Sequence, residues 1–231
     1  MPTISLVSPK GGVGKTTAAV VLATQIAQKG KAVVLIDADP NRPISHWARL
    51  PGCPASIRVI SEVTEDTIID EIEDAEREAP FVIIDLEGTA NLTVGYAISR
   101  SDLVIIPSQG SQLDAKEAGK AIRLIQQQEK AFKRSIPYAV LLTRTSAAIK
   151  TRTLRHIQDQ LVQHGVPLFA AQLMERDAYR AIFSFGGGLA GLDRKEVSGI
   201  DAATANARAF TAEVIERLRQ SAGPERKAEV A

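Results

Sequence analysis

The sequence of 231 residues predicts a doubly wound α/β fold, a mostly parallel sheet with helices on both faces. Three observations predict it. Strand-like apolar runs alternate with helical patterns along the chain. Most of those runs are continuous rather than alternating, as in parallel strands covered on both faces. The first run, Ile4-Ser5-Leu6-Val7, leads into a glycine-rich turn that opens a helical pattern, the order that builds a phosphate cradle.

Taken in order, strands are expected at residues 4–7, 32–36, 57–60, 81–84, 103–106 and 138–142. A helix is expected over residues 16–28, ending at Gly30. Residues 62–78 are strongly acidic, but Ile68, Ile69, Ile72 and Ala75 form an inward stripe, so the acids read as a solvated helix face. The spacing of Ala118, Ile122, Ile125 and Phe132 predicts a helix over 117–132. Leu154, Ile157 and Leu161 predict one over 153–164, stopping at Gly165. Ala207, Phe210, Val214 and Leu218 predict one over 203–219. Residues 184–191, with three consecutive glycines from Gly186, read as a flexible loop. One domain is expected over residues 1–220, with 221–231 a frayed, flexible tail.

Composition narrows the function. A net charge of +1 makes any nucleic-acid or membrane surface a local patch rather than a property of the whole chain. The single cysteine, Cys53, excludes an internal disulfide framework. No signal peptide and no run of about 20 apolar residues is present, so the expected location is cytoplasmic.

The chemistry concentrates in Ser8-Pro-Lys-Gly-Gly-Val-Gly-Lys-Thr-Thr17. Backbone N–H groups of Gly11, Gly12, Val13 and Gly14, with Thr17 at the helix start, are placed to converge on phosphate. Lys15 is expected to reach the β- and γ-phosphates, and the Thr16 hydroxyl to hold Mg²⁺. A dinucleotide fingerprint needs a third glycine or alanine where Thr17 stands. Asp85 ends an apolar strand and is the natural acid near the Mg²⁺ shell. Asp37 and Asp39 end the second strand, expected beside the phosphate loop. The two are expected to point apart and to have unequal roles.

The run KGGVGKTT, with Lys10 at its front, resembles the deviant Walker A box of the ParA/MinD superfamily of ATPases. The resemblance continues through Asp37-Ala-Asp39-Pro-Asn41, the strand ending at Asp85, Ser101-Asp-Leu-Val-Ile-Ile-Pro107 followed by Leu113-Asp114, and Leu142-Thr-Arg144. It spans roughly residues 2–218 and is closest to the short plasmid-partition ParA proteins. It implies ATP and Mg²⁺ as cofactors, with Asp39 orienting the attacking water and Asp37 supporting the metal shell beside Thr16 and Asp85. It implies that Lys10 crosses to the partner's nucleotide in an ATP-dependent homodimer. It places the base near Thr143 and Arg144 and the loop from Pro107 to Leu113. It further implies nonspecific DNA as a partner, nucleoid association, and a ParB-like protein that stimulates a weak basal ATPase. Lys130, Lys133, Arg134, Lys150, Arg152 and Arg155 are the richest local supply of cations for DNA. Membrane attachment of the MinD kind is not expected, because the last apolar helix reads as core.

The chain departs from the family pattern after Asp85, reading Asp85-Leu-Glu87-Gly88. Gly88 is expected to offer its N–H to a γ-phosphate; the role of Glu87 stays open. Trp47 and His46 lie in a segment that would move with the residues after Asp39. Two alternatives to partition remain: a VirC-type adaptor recruiting a conjugation or T-DNA complex, and a metabolic P-loop enzyme.

Overall fold

A computed structural model describes residues 1–88, 91–147 and 151–221. Its sheet contains β1 (Thr3–Leu6), β2 (Val33–Ala38), β3 (Ile57–Ile60), β4 (Val82–Leu86), β5 (Leu103–Ser108), β6 (Tyr138–Thr145) and β7 (Leu173–Met174). They lie in the order β3-β2-β4-β1-β5-β6-β7, and all pairs are parallel. The second strand, whose end was expected next to the phosphate loop, is therefore not hydrogen-bonded to the strand that leads into that loop. β4 lies between them and sets Asp37 opposite Asp85 in register.

The continuous apolar runs divide by strand alternation into two cores. Leu35, Ile83 and Ile105 face α1 (Lys15–Ala27), α2 (Pro43–Ala48), α7 (Asp177–Phe185) and α8 (Ile200–Ser221). Ile36, Ile84 and Ile106 face α3 (Ile68–Glu78), α4 (Leu92–Arg100), α5 (Gln112–Phe132) and α6 (Arg152–Gln163). In α3, Ile68, Ile72 and Ala75 are buried as the stripe predicts, while Asp70, Asp74 and Glu78 stay at the surface.

Four elements were not anticipated. α2 is six residues long and opens on Pro43. α4 and α7 are only nine residues each; Gly95 and the β-branched residues lower the helix propensity of α4, and three aromatics that of α7, although Ala178, Tyr179, Ala181 and Ile182 are buried at helical spacing. β7 has only two residues. α5 also starts five residues before the predicted position, because Ser111 caps it by accepting from the Asp114 amide.

The glycine run is packed, in contrast to the flexible loop expected. Gly186, Gly187 and Gly188 are buried. Gly187, at φ +63°, lies so close to Gly52 that a Cβ would stand 2.9 Å from its carbonyl oxygen. The fully buried Trp47 donates its indole N–H to Gly187 O at 2.9 Å. Trp47 is thus a core residue on α2 that anchors the segment after Asp39, whereas His46 is exposed. α8 ends at Ser221, and the expected tail beyond it lies outside the described residues.

Candidate functional site

The phosphate loop runs from β1 to α1, and two of its glycines need positive φ: +72° at Gly12 and +97° at Gly14, the N-cap of α1. Gly11, Gly12, Gly14, Lys15, Thr16 and Thr17 line a cleft of 470 Å³, completed by Asp39, Asn41, Glu87, Gly88 and Arg144. Val13 is buried, and its carbonyl accepts from Thr143 Oγ1 at 2.6 Å.

Lys15 is nearly buried, and desolvation lowers its pKa against the opposing fields of Asp85, Asp39 and Glu87. Thr16 Oγ1 donates to Asp85 Oδ2 at 2.6 Å. Asp85 is fully buried, and burial pushes its pKa up to about 7, against the Thr16 hydrogen bond and the Lys15 charge. Asp37 Oδ2 accepts from both the amide and the hydroxyl of Ser45 on α2, at 2.8 Å each. Burial raises the Asp37 pKa as well.

The remaining oxygens of both acids, Asp37 Oδ1 and Asp85 Oδ1, are buried without a hydrogen-bond partner. Orphaned carboxylate oxygens beside a threonine hydroxyl suit the hydrated shell of Mg²⁺, which takes one or two carboxylates and completes its octahedron with water and phosphate. Among the described residues no cluster of three or more acids, histidines or cysteines could hold a metal unaided. The donor set therefore fits a metal that arrives with phosphate.

Asp39 is separated from Asp37 by the end of the strand, not by alternation, since positions i and i+2 share a face. β2 stops at Ala38. Asp39 turns with the chain and accepts from the amide and the side chain of Asn41 at 2.9 and 3.0 Å, leaving it half-buried on the cleft wall. Asp37 stays beneath.

Lys10 is not among the residues lining the cleft. Its ammonium lies 2.7 Å from Asp114 Oδ1, at the start of α5. Asp114 is buried and also accepts from the Ser111 hydroxyl. Gly88 packs on the loop: a Cβ there would stand 3.3 Å from Pro9 O and 3.5 Å from Gly11 N.

A second cleft, of 300 Å³, opens beside the loop, and Gly14, Thr17, Thr143 and Arg144 border it together with residues of β7 and α7 such as Tyr179 and Arg176. Arg144 sits at a register shift in β6 with φ +51°, and this bulge turns its side chain toward both clefts. Residues 107–113 do not border this cleft: Pro107 is buried in β5 and Leu113 is exposed on α5, and residues between Leu173 and Arg180 border it instead.

The basic residues considered for DNA do not form one patch. Lys133 is exposed at the end of α5, whereas Arg152 and Arg155 are exposed at the start of α6. The eight-residue β6 runs between those ends, about 26 Å of strand. The Arg134 guanidinium donates to the carbonyls of Ser99 and Ser101, closing the end of α4. Lys150 lies outside the described residues.

The VirC1 protein family model matches residues 1–220. The Protein ParA of Rhizobium radiobacter is 39% identical over 221 residues, covering 96% of this chain and 99% of that protein. Protein virC1 of Rhizobium rhizogenes is 30% identical over 187 residues, covering 79% and 80%. Among solved structures, a Cyanothece McdA–ATP complex is similar with a TM-score of 0.72 at 15% identity, over 96% of each chain.

Proposed function

The chain belongs to the VirC1 family, within the ParA/MinD group of P-loop ATPases, and from that premise we propose that it is an ATP-dependent dimerising switch that binds nonspecific DNA and distributes a plasmid or chromosomal cargo. The position of Lys10 carries the reading. An amine at the front of a phosphate loop, held outside its own cleft on Asp114, is available to a second copy. Two copies face to face would each lend Lys10 to the other's phosphates, an arginine-finger arrangement supplied in trans.

Each side chain then has a task. Lys15 pairs with the β- and γ-phosphates from the base of the cleft. Thr16, Asp37 and Asp85 would hold the Mg²⁺ that accompanies the phosphates. Bound Mg²⁺ supplies charge neutralisation across the phosphates. Asp39, on the wall, orients the attacking water. Gly88 offers its N–H to the γ-phosphate from the loop's edge. The second cleft, with Thr143 and Arg144 at its border, takes the base. Hydrolysis removes the group that both copies grip, and the dimer separates.

DNA contact in this reading falls to Arg152 and Arg155 at the end of the strands that holds the cleft, with Lys133 contributing from the opposite end; Lys150, outside the described residues, is proposed on its sequence alone. A ParB-like partner stimulates turnover and connects the switch to its cargo. The match to the VirC1 family supports a second reading, in which the same switch recruits a DNA-transfer complex instead.

The test mixes the purified protein with nonspecific DNA under ATP or ADP at increasing salt. Binding that needs ATP and weakens with salt is expected. DNA binding that is absent in every nucleotide state would sink the partition reading. Lys10→Ala is expected to keep ATP binding and lose stimulated hydrolysis.

A further inference from the structure

Glu87 is a carboxylate at the cleft wall that the switch reading leaves without a task. Three observations locate it. The close approach of Gly88 to Pro9 O and Gly11 N carries its neighbour Glu87 to the front edge of the phosphate loop. The Glu87 carboxylate lines the same cleft as Lys15 and Thr16, and its charge reaches the Lys15 ammonium. Asn91 Nδ2 donates to Glu87 Oε1, while Asn91 Oδ1 accepts from Val94 N at 2.9 Å and caps α4. A single amide therefore ties Glu87 to the first turn of α4.

A fixed negative charge in a phosphate cleft opposes a ligand in proportion to the ligand's own charge. The γ-phosphate adds negative charge to the nucleotide. The lining already sets Asp39 and Glu87 against Lys15 and Arg144, with Lys10 turned away. We propose that Glu87 is the residue by which this site tells ATP from ADP, and that Asn91 passes the difference to α4. The proposal rests on the switch reading and specifies its regulation. With a diphosphate bound, Glu87 stays on Asn91. A γ-phosphate repels the carboxylate, Asn91 loses its acceptor, and the first turn of α4 is released. That turn begins with Leu92, which is 57% exposed. A single copy thus holds triphosphate loosely, and a second copy's Lys10 supplies the missing positive charge.

Glu87→Gln removes the charge and keeps an acceptor for Asn91. Calorimetric titration with Mg²⁺-ADP and with a Mg²⁺-bound nonhydrolysable ATP analogue, at concentrations where the chain is monomeric, yields the ratio of the two dissociation constants. We expect Glu87→Gln to shift that ratio toward the triphosphate by about tenfold. Asn91→Ser keeps a capping side chain and should shift it the same way by less. The double variant should match Glu87→Gln alone. An unchanged ratio overturns the proposal. So does a shift toward ADP, the result of losing a metal contact. An Asn91→Ser effect that is undiminished in the Glu87→Gln background overturns the tether.

Sedimentation of the wild type with each nucleotide at high concentration separates the two levels. If the analogue drives dimerisation while the ratio stays fixed, the Glu87 proposal fails and the switch stands. If neither nucleotide yields a dimer, the switch reading fails and takes the coupling to α4 with it.

Discussion

Lys10 and Asp114 are joined at 2.7 Å across 104 positions of sequence, an ion pair between the phosphate loop and the first turn of α5. The two partners are unequal: the lysine side chain is 40% exposed and its acceptor 2%. An exposed ammonium is free to leave, whereas the buried carboxylate retains Ser111 when it does. With its ammonium in solvent, the pair lies nearer the hold of surface pairs, about 1 kcal/mol or less, than that of a fully buried pair.

Asp114→Asn should therefore favour the dimer. The charge that parks Lys10 is gone, but the side chain still bonds Ser111. We expect the protein concentration for half-maximal ATP-dependent dimerisation to fall by about threefold, in line with that weak hold. Sedimentation across a concentration series reads it directly, and an unmoved midpoint would rule out a parking role.

Asp85 gives a pH signature. Burial raises its pKa from 3.8 to about 7, so the folded chain binds this proton more tightly than the unfolded chain. Its contribution to stability therefore falls as pH climbs from about 4 to about 7, and is flat above. In nucleotide-free protein with chelator, Asp85→Asn should raise the melting temperature above wild type by a margin that grows over that window. The same variant should lose the stabilisation that wild type gains from Mg²⁺ and ATP. Parallel melting curves at all pH values would contradict the first expectation.

Asp39→Ala should separate binding from turnover. Asp39 lines the cleft without touching Lys15 or Thr16 by a hydrogen bond, and its known partners are local, on Asn41. Hydrolysis should drop by about a hundredfold, while nucleotide affinity should not fall, because removing an acid from the cleft relieves repulsion of the phosphates. Single-turnover kinetics and equilibrium titration together decide it. A matching loss in both would reassign Asp39 to binding.

The glycine run is a structural joint. Gly187→Ala meets both a positive φ and the Gly52 carbonyl, and should cost about 2 kcal/mol in urea denaturation. Trp47→Phe leaves Gly187 O without its indole donor, at a cost of about 1–3 kcal/mol. If Gly187→Ala unfolds at the wild-type urea midpoint, the segment is looser than its packing implies.

The core of the fold was readable because β2, β4 and β5 contain unbroken apolar runs, and one strong motif fixed the first turn after β1. What escaped was short: α2 has six residues, α4 and α7 nine each, and β7 two. Asn91 caps α4 in a sequence where Gly95 and β-branched residues lower the helix propensity. The site was legible where chemistry is local, in Gly12, Gly14, Lys15 and Thr16. It was not legible where the fold joins distant residues. Nothing near Asp114 in sequence marks it as the acceptor for Lys10. Grouping Lys133 with Arg152 followed their closeness along the chain, and β6 carries them to opposite ends of the strands.

Thr143 gives the phosphate loop a further property. Its hydroxyl holds Val13 O at 2.6 Å, and Gln109 holds Gly12 O at 3.2 Å from the neighbouring strand end. Glycine-rich chain loses more freedom on ordering than any other kind. Here folding has already removed much of that freedom, before a nucleotide arrives. Binding energy from the phosphates is then left for the contacts themselves rather than for arranging the loop. A cleft prepared in this way can exchange its nucleotide repeatedly without rebuilding its own floor.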